Sequence, residues 1–144
     1  MSDFIIRSFH TDDIEDVIEL WSKCGLVAPQ NNPQRDIERK LRINPEWFLV
    51  GEFEGRIIAT CIAGYEGHRG WINYLAVSPQ YRRQGFATQM IREAEKILKD
   101  VGCPKINLQI RSFNKEVIEF YKAIGFNKDD VVSMGKRLVQ DNPS

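Results

Sequence analysis

Cysteine is scarce in this chain. Its three cysteines, Cys24, Cys61 and Cys103, are widely spaced and form no Cys-x-x-Cys pair. That argues against a disulfide framework or a structural zinc site, and for a reducing compartment. No stretch approaches the roughly 20 apolar residues of a membrane helix. The opening MSDFIIRSFHTDD carries acidic residues and no apolar run of signal-peptide length. A cytoplasmic location with no membrane partner is expected. Neither sign of charge is in excess, since 20 Lys and Arg balance 20 Asp and Glu, so no nucleic-acid partner is expected. The patterns Gly-x-x-x-x-Gly-Lys-Ser/Thr and Gly-x-Gly-x-x-Gly are both missing, which disfavours an NTPase and a dinucleotide fold. With two histidines and no Cys–His–acid constellation, neither a metal nor an acyl-cysteine intermediate is expected.

What is present reads as one domain spanning residues 1–144, long enough for a single filled core. Phe4 to Phe9 reads as a strand. Thr11 and Asp12 offer N-caps for a helix with Ile14, Val17, Ile18 and Trp21 on one face. After the turn-rich LVAPQNNP, Pro33 opens a second helix that Asn44-Pro45 stops. Trp47–Phe53 and Arg56–Tyr65 form a hairpin around Glu54-Gly55, and Trp71–Val77 is a further strand. Helical spacing runs from Phe86 to Val101, alternation from Lys105 to Arg111, and helical spacing again from Asn114 to Ile124. Val131–Val139 completes the pattern as a final strand. Short turns make the central strands antiparallel, and the strand–helix–strand unit from Trp71 to Arg111 predicts a parallel pair. The fold class is α/β with a mixed sheet.

The stretch YRRQGFATQM places Arg82, Arg83 and Gly85 directly before the strongest amphipathic helix. Glycine lets the backbone turn tightly and approach a ligand. A helix beginning near Phe86 leaves its first N–H groups unpaired beside the positive end of its dipole, which suits a phosphate or pyrophosphate. The dipole contributes about 0.3–1 kcal/mol, whereas each hydrogen bond to a charged oxygen contributes about 1.5–3. The amides should therefore do most of the binding, with Arg82 and Arg83 raising the local potential.

Two blocks, NYLAVSPQYRRQGFATQMIREAEKIL and KINLQIRSFNKEVIEFYKAIGF, resemble the GNAT superfamily of CoA-dependent N-acetyltransferases. The Arg-x-x-Gly-x-Ala loop is similar to its pyrophosphate-binding signature, and Asn114, Tyr121 and Gly125-Phe126 to its second block. The stretches DIERK, GYEGHRG, GCPKI and GKRL resemble a small bacterial acetyltransferase of that family. The resemblance implies a mostly antiparallel six- to seven-stranded sheet with a central splayed parallel pair and about four helices.

It also implies acetyl-CoA as co-substrate, held where Trp71–Val77 and Lys105–Arg111 part. Main-chain groups of Leu75, Ala76 and Val77 would pair with the pantetheine arm. Those of Arg82, Arg83, Gln84, Gly85, Phe86, Ala87 and Thr88 would hold the pyrophosphate. Asn114 is either a cofactor contact or an ordinary N-cap. Tyr121 is either a core aromatic or the acid that serves the departing CoA thiolate. The family's base positions carry the amides Gln109 and Asn73, which take no proton at neutral pH. Glu66 and His68 are the nearest titratable side chains in sequence, with a solvated turn or a water relay as alternatives.

A site without a strong base favours an amine of low pKa. At pH 7 an α-amine is neutral in roughly one molecule in ten, a lysine side chain in fewer than one in a thousand. The expected partner is such an amine acceptor, with the protein a monomer or homodimer. A non-catalytic acyl-CoA-binding or regulatory module is the rival reading.

Overall fold

The structure, a computed structural model, describes residues 3–28 and 32–141, so part of the expected loop from Leu26 to Pro33 lies outside the described residues. Nine regular elements follow one another: β1 (Phe4–Ser8), α1 (Ile14–Lys23), α2 (Pro33–Lys40), β2 (Phe48–Phe53), β3 (Arg56–Tyr65), β4 (Gly70–Val77), α3 (Phe86–Asp100), β5 (Ile106–Asn107) and α4 (Lys115–Ala123). The strands lie in one sheet in chain order, antiparallel except for the parallel pair β4–β5.

Local chemistry explains most boundaries. Asp13 rather than Thr11 or Asp12 stands at the N-cap position of α1, without a side-chain bond into that helix; its carboxylate reaches back across the 3-10 turn Thr11–Asp13 to accept from His10 N at 2.8 Å. The same carboxylate takes a two-pronged contact from Arg7 at 2.8 and 3.0 Å. Asn32 caps α2 by accepting from Arg35 N at 3.2 Å, with Pro33 in the first turn. Glu54 and Gly55, both with positive φ, close the β2–β3 hairpin.

The sheet is covered on both faces. Trp21, Val17 and Leu20 of α1 and Ile37 of α2 pack with Phe48 and Val50 on one side. Met90, Ile91, Ala94 and Leu98 of α3 and Tyr121 of α4 pack with Leu49 and Cys61 on the other. Adjacent strand residues thus serve opposite cores, as the period of two requires.

Three expectations are corrected. Among the described residues the sheet has five strands rather than six or seven, and Lys105–Arg111 shrinks to the two residues of β5. Val131–Val139 forms no strand, and Val131, Val132, Met134 and Leu138 are 76–91% exposed. Alternation is present there, but a strand also needs a neighbouring backbone to pair with. The short β5 offers little. Residues 129–133 instead meet residues 105–109 through side chains, with Lys105 Nζ and Asn107 Nδ2 donating to Asp129 at 2.9 and 2.7 Å, and Gln109 Nε2 donating to Ser133 Oγ.

Candidate active site

The site begins with one extra residue in β4. Thr60 pairs with Ala76 while Ile62 pairs with Asn73, so Cys61 alone opposes Tyr74 and Leu75. Tyr74 takes a positive φ of 50°, which costs a side-chain-bearing residue about 1–2 kcal/mol. The bulge switches the faces of the strand: Ile72 packs with α3, whereas Tyr74 and Ala76 pack with α1.

A buried hydroxyl stabilises this geometry. Thr60 Oγ1 donates to Tyr74 O at 2.8 Å and accepts from Trp21 Nε1 at 2.9 Å. The Trp21 ring stacks on Tyr74 with centroids 3.9 Å apart. The Tyr74 hydroxyl donates to Asp36 Oδ2 on α2 at 2.6 Å. Bent in this way, β4 leaves β5, and their pairing ends at Trp71–Asn107. Among the described residues, Leu75, Ala76 and Val77 therefore have no strand partner on the β5 side.

The loop after β4 lies at the wide end of this opening. Arg82 Nε donates back to Val77 O at 3.3 Å, and Arg82 N to Pro79 O at 3.4 Å. Arg83 (φ 64°) and Gly85 (φ 83°) then turn the chain into α3, with Gly85 as an N-cap that has no side-chain capping bond. The next six amides, of Arg83, Gln84, Gly85, Phe86, Ala87 and Thr88, donate to no described residue, and Gln89 N is the first to bond, to Gly85 O at 3.1 Å. Phe86 anchors the turn, its ring 4.5 Å from Phe4 and 5.2 Å from Phe53 by centroids. A Cβ built on Gly85 would meet no atom within 4 Å. A row of free donors at a helix N-terminus has the chemistry to receive an anion with several oxygens. The Arg83 side chain is 90% exposed and only 3.9 Å from Glu116, so it adds charge without structure.

Tyr121 sits on α4, 7% exposed, edge-on to Phe120 and Phe126. Its hydroxyl has no hydrogen-bond partner among the described residues. Asn107 Oδ1 is the one buried side-chain polar atom among them that lacks a partner, so the phenol oxygen retains contact with solvent. Burial, and then the neighbouring Cys61, push the phenol well above its ordinary pKa. Burial also pushes the Cys61 thiol up to about 12. Asn114 caps α4, its Oδ1 accepting from Val117 N at 3.4 Å, which leaves its Nδ2 unengaged among the described residues.

Glu66 and His68 are not brought to the opening. Both are exposed in the β3–β4 turn, where Glu66 accepts from the amides of His68 (3.0 Å) and Arg69. That turn lies at the opposite end of β4 from Leu75–Val77, roughly 20 Å along the strand. Asn73 and Gln109 are both exposed. The residues that sequence reasoning passed over are Thr60, Trp21 and Asp36. One hint existed for Thr60, a hydroxyl in the middle of the otherwise apolar run IIATCIA.

Comparison with known proteins identifies the family and the fold. The model of the Acetyltransferase (GNAT) family matches residues 14–126. An acetyltransferase of Yersinia pestis (strain Pestoides F) is 47% identical over 136 residues, spanning 94% of this chain and 96% of its own. Among solved structures, the PaiA N-acetyltransferase from Thermoplasma acidophilum, in complex with coenzyme A, superposes with a TM-score of 0.77 at 20% identity, covering 90% of this chain and 93% of its own. Ard1 from Thermoplasma volcanium gives 0.76 at 24% identity, covering 86% and 82%. The chain belongs to the GNAT acetyltransferase family and is an acetyl-CoA-dependent acyltransferase.

Proposed function

We propose that this chain, as one catalytic domain, moves the acetyl group of acetyl-CoA directly to an amine of low pKa, carried by a small molecule or a protein N-terminus. The observation that carries the reading is the row of free amides from Arg83 to Thr88, placed where β4 has parted from β5. These amides would hold the diphosphate. The unpaired edge of Leu75–Val77 would align the pantetheine arm as an added strand, and Asn114 Nδ2 would contact it from α4.

The amine nitrogen attacks the thioester carbonyl carbon. The C–S bond then breaks, the electron pair leaves with sulfur as CoA thiolate, and the extra proton on nitrogen passes to water. Tyr121 serves the sulfur. Because burial holds its pKa high, the phenol stays protonated, and full transfer to a thiolate of pKa about 8.5 is uphill. Its role is to donate a hydrogen bond that steadies the developing charge. Direct transfer also fits Cys61, whose buried and protonated thiol is a poor nucleophile.

Calorimetry with CoA tests the first half of this reading, and absence of binding by the folded protein would end it. Tyr121→Phe tests the second. Loss of one hydrogen bond to a charged sulfur should lower kcat about 10- to 100-fold while the affinity for CoA stays within about twofold. Unchanged kcat across the pH range would remove Tyr121 from the chemistry.

A further inference from the structure

Beyond the transferred group, the structure indicates which acceptors the site would select. Arg39 of α2 grips the Asp141 carboxylate with both terminal nitrogens, at 2.5 and 2.8 Å, and Arg35 approaches the same carboxylate at 3.5 Å. The Asp141 side chain is 5% exposed. It is held at the end of a segment that makes no strand and leaves Leu138 and Val139 86% and 56% exposed. The rest of this segment is not packed as a core element, and the guanidinium fork is the contact that the Asp141 carboxylate makes among the described residues.

The fork is not remote from the opening in the sheet. Tyr74, at the β4 bulge, donates to Asp36 at 2.6 Å, and Asp36 Oδ1 lies 3.6 Å from Arg39. Two hydrogen bonds and one 3.6 Å ion pair therefore connect the Tyr74 side chain to Asp141. An open surface depression of about 590 Å³ lies between Arg39 and residues 135–139 and Asp141, and one of about 250 Å³ lies along α2. Their walls carry five cationic side chains and two carboxylates, one of them Asp141 itself. A planar guanidinium presenting two parallel N–H donors fits any carboxylate of the right approach.

We propose that Arg35 and Arg39 form the acceptor's anion-recognition pair, that the amine substrate carries a carboxylate which they bind, and that Asp141 fills that place when no acceptor is present. This rests on the acetyl-transfer reading above. Asp141 then acts as an internal competitor. The apparent affinity for acceptor is lowered by the fraction of time the fork is filled, and substrates without the carboxylate do not feel the competition.

The test uses the full chain with acetyl-CoA and a panel of matched amines: dipeptides and tripeptides with a free C-terminal carboxylate, and the same peptides amidated. Both members of each pair keep an α-amine of pKa about 8, so only the carboxylate differs. Release of CoA thiol gives kcat and KM. The wild type should prefer the free acids by about tenfold or more in kcat/KM. Asp141→Asn should lower KM for the acids about 3- to 10-fold, leave the amides unchanged, and have no further effect in an Arg39→Gln background. Arg39→Gln should raise KM for the acids more than for the amides, with Arg39→Lys in between.

Equal turnover of acids and amides by the wild type, or turnover of neither, overturns the proposal without recourse to any variant. So does an Asp141→Asn protein that melts like the wild type and shows an unchanged KM for the acids. Titration with CoA separates the two readings. Without CoA binding the acetyl-transfer reading itself has failed, whereas transfer that ignores the carboxylate defeats only this inference.

Discussion

Replacing Thr60 by Val removes one oxygen from the centre of β3 and keeps its shape. Two groups lose their partner: the Trp21 indole N–H at 2.9 Å and the Tyr74 carbonyl at 2.8 Å. Thr60 and Trp21 are both fully buried, so water cannot replace the hydroxyl at the indole N–H, whereas the Tyr74 carbonyl is only partly buried and sits at the lower end of the cost. Each orphaned group costs about 1–3 kcal/mol, and the added methyl offsets about 0.8. The net loss should be about 2–4 kcal/mol, or a fall in Tm of about 5–15 °C for a chain of this size. Thr60→Ser is the control. It keeps the hydroxyl and gives up one buried methyl group, for about 1 kcal/mol. Urea and thermal unfolding of the three proteins measure the difference. Function should follow stability in a specific way. With the Tyr74 carbonyl released, the bulge loses its tether and β4 can drift toward β5, so affinity for CoA should fall in Thr60→Val and persist in Thr60→Ser. If Thr60→Val is as stable as Thr60→Ser and binds CoA equally well, the hydroxyl does not hold the bulge and the reasoning fails.

Gly85→Ala should separate folding from binding. The new Cβ meets no protein atom, but a positive φ of 83° costs about 1–2 kcal/mol in stability, while the methyl intrudes on the space before the free amides and should weaken CoA binding about tenfold or more. Unaltered CoA affinity in a protein with lowered Tm would place the diphosphate elsewhere. The contact of Arg7 with Asp13 predicts an acid-sensitive component of stability. The guanidinium holds the Asp13 carboxyl below its ordinary 3.8, burial opposes this, and the His10 amide adds to it. A depressed carboxyl contributes fully above its unfolded pKa and loses that contribution as pH falls through the folded value. Asp13→Asn should thus cost about 1–2 kcal/mol at pH 7, allowing for partial solvent screening, and the gap to wild type should close over the pH range below the ordinary carboxyl value of 3.8. A gap that stays constant over that range would mean that the carboxylate charge contributes nothing.

The parts of the fold that were legible in the sequence are those written in local periodicity. The span of α3, its start after Gly85 and the hairpin at Glu54-Gly55 emerge as expected, because apolar spacing and turn residues fix them within a few positions. The bulge was not legible, since nothing in the letters of Tyr74 announces a positive φ. It is imposed from 14 residues away by Thr60 and from farther still by Trp21, which the sequence presents only as one more apolar position on α1. The lost final strand fails for a related reason: Val131–Val139 alternates correctly, but pairing is a property of two strands, and the neighbour had already shortened. Contacts such as Arg39 with Asp141, 102 residues apart, lie outside any pattern that a linear reading can weigh.

The bulge lock and the candidate hydrogen-bond donor to sulfur meet on consecutive residues of β3. Thr60 faces the α1 core, where it accepts from Trp21 and holds the Tyr74 carbonyl. Cys61 faces the α3 and α4 core, where it neighbours Tyr121. Successive side chains of a strand point to opposite faces, so one rigid step of backbone ties the opening between β4 and β5 to the phenol that would serve the thiolate. The opening is thereby indexed to Tyr121 through a central strand paired on both sides, not through a loop. A donor placed in this way incurs little reorganisation when charge appears on sulfur. In the proposed reaction a buried phenol of raised pKa would in this way assist the departing thiolate without giving up its proton.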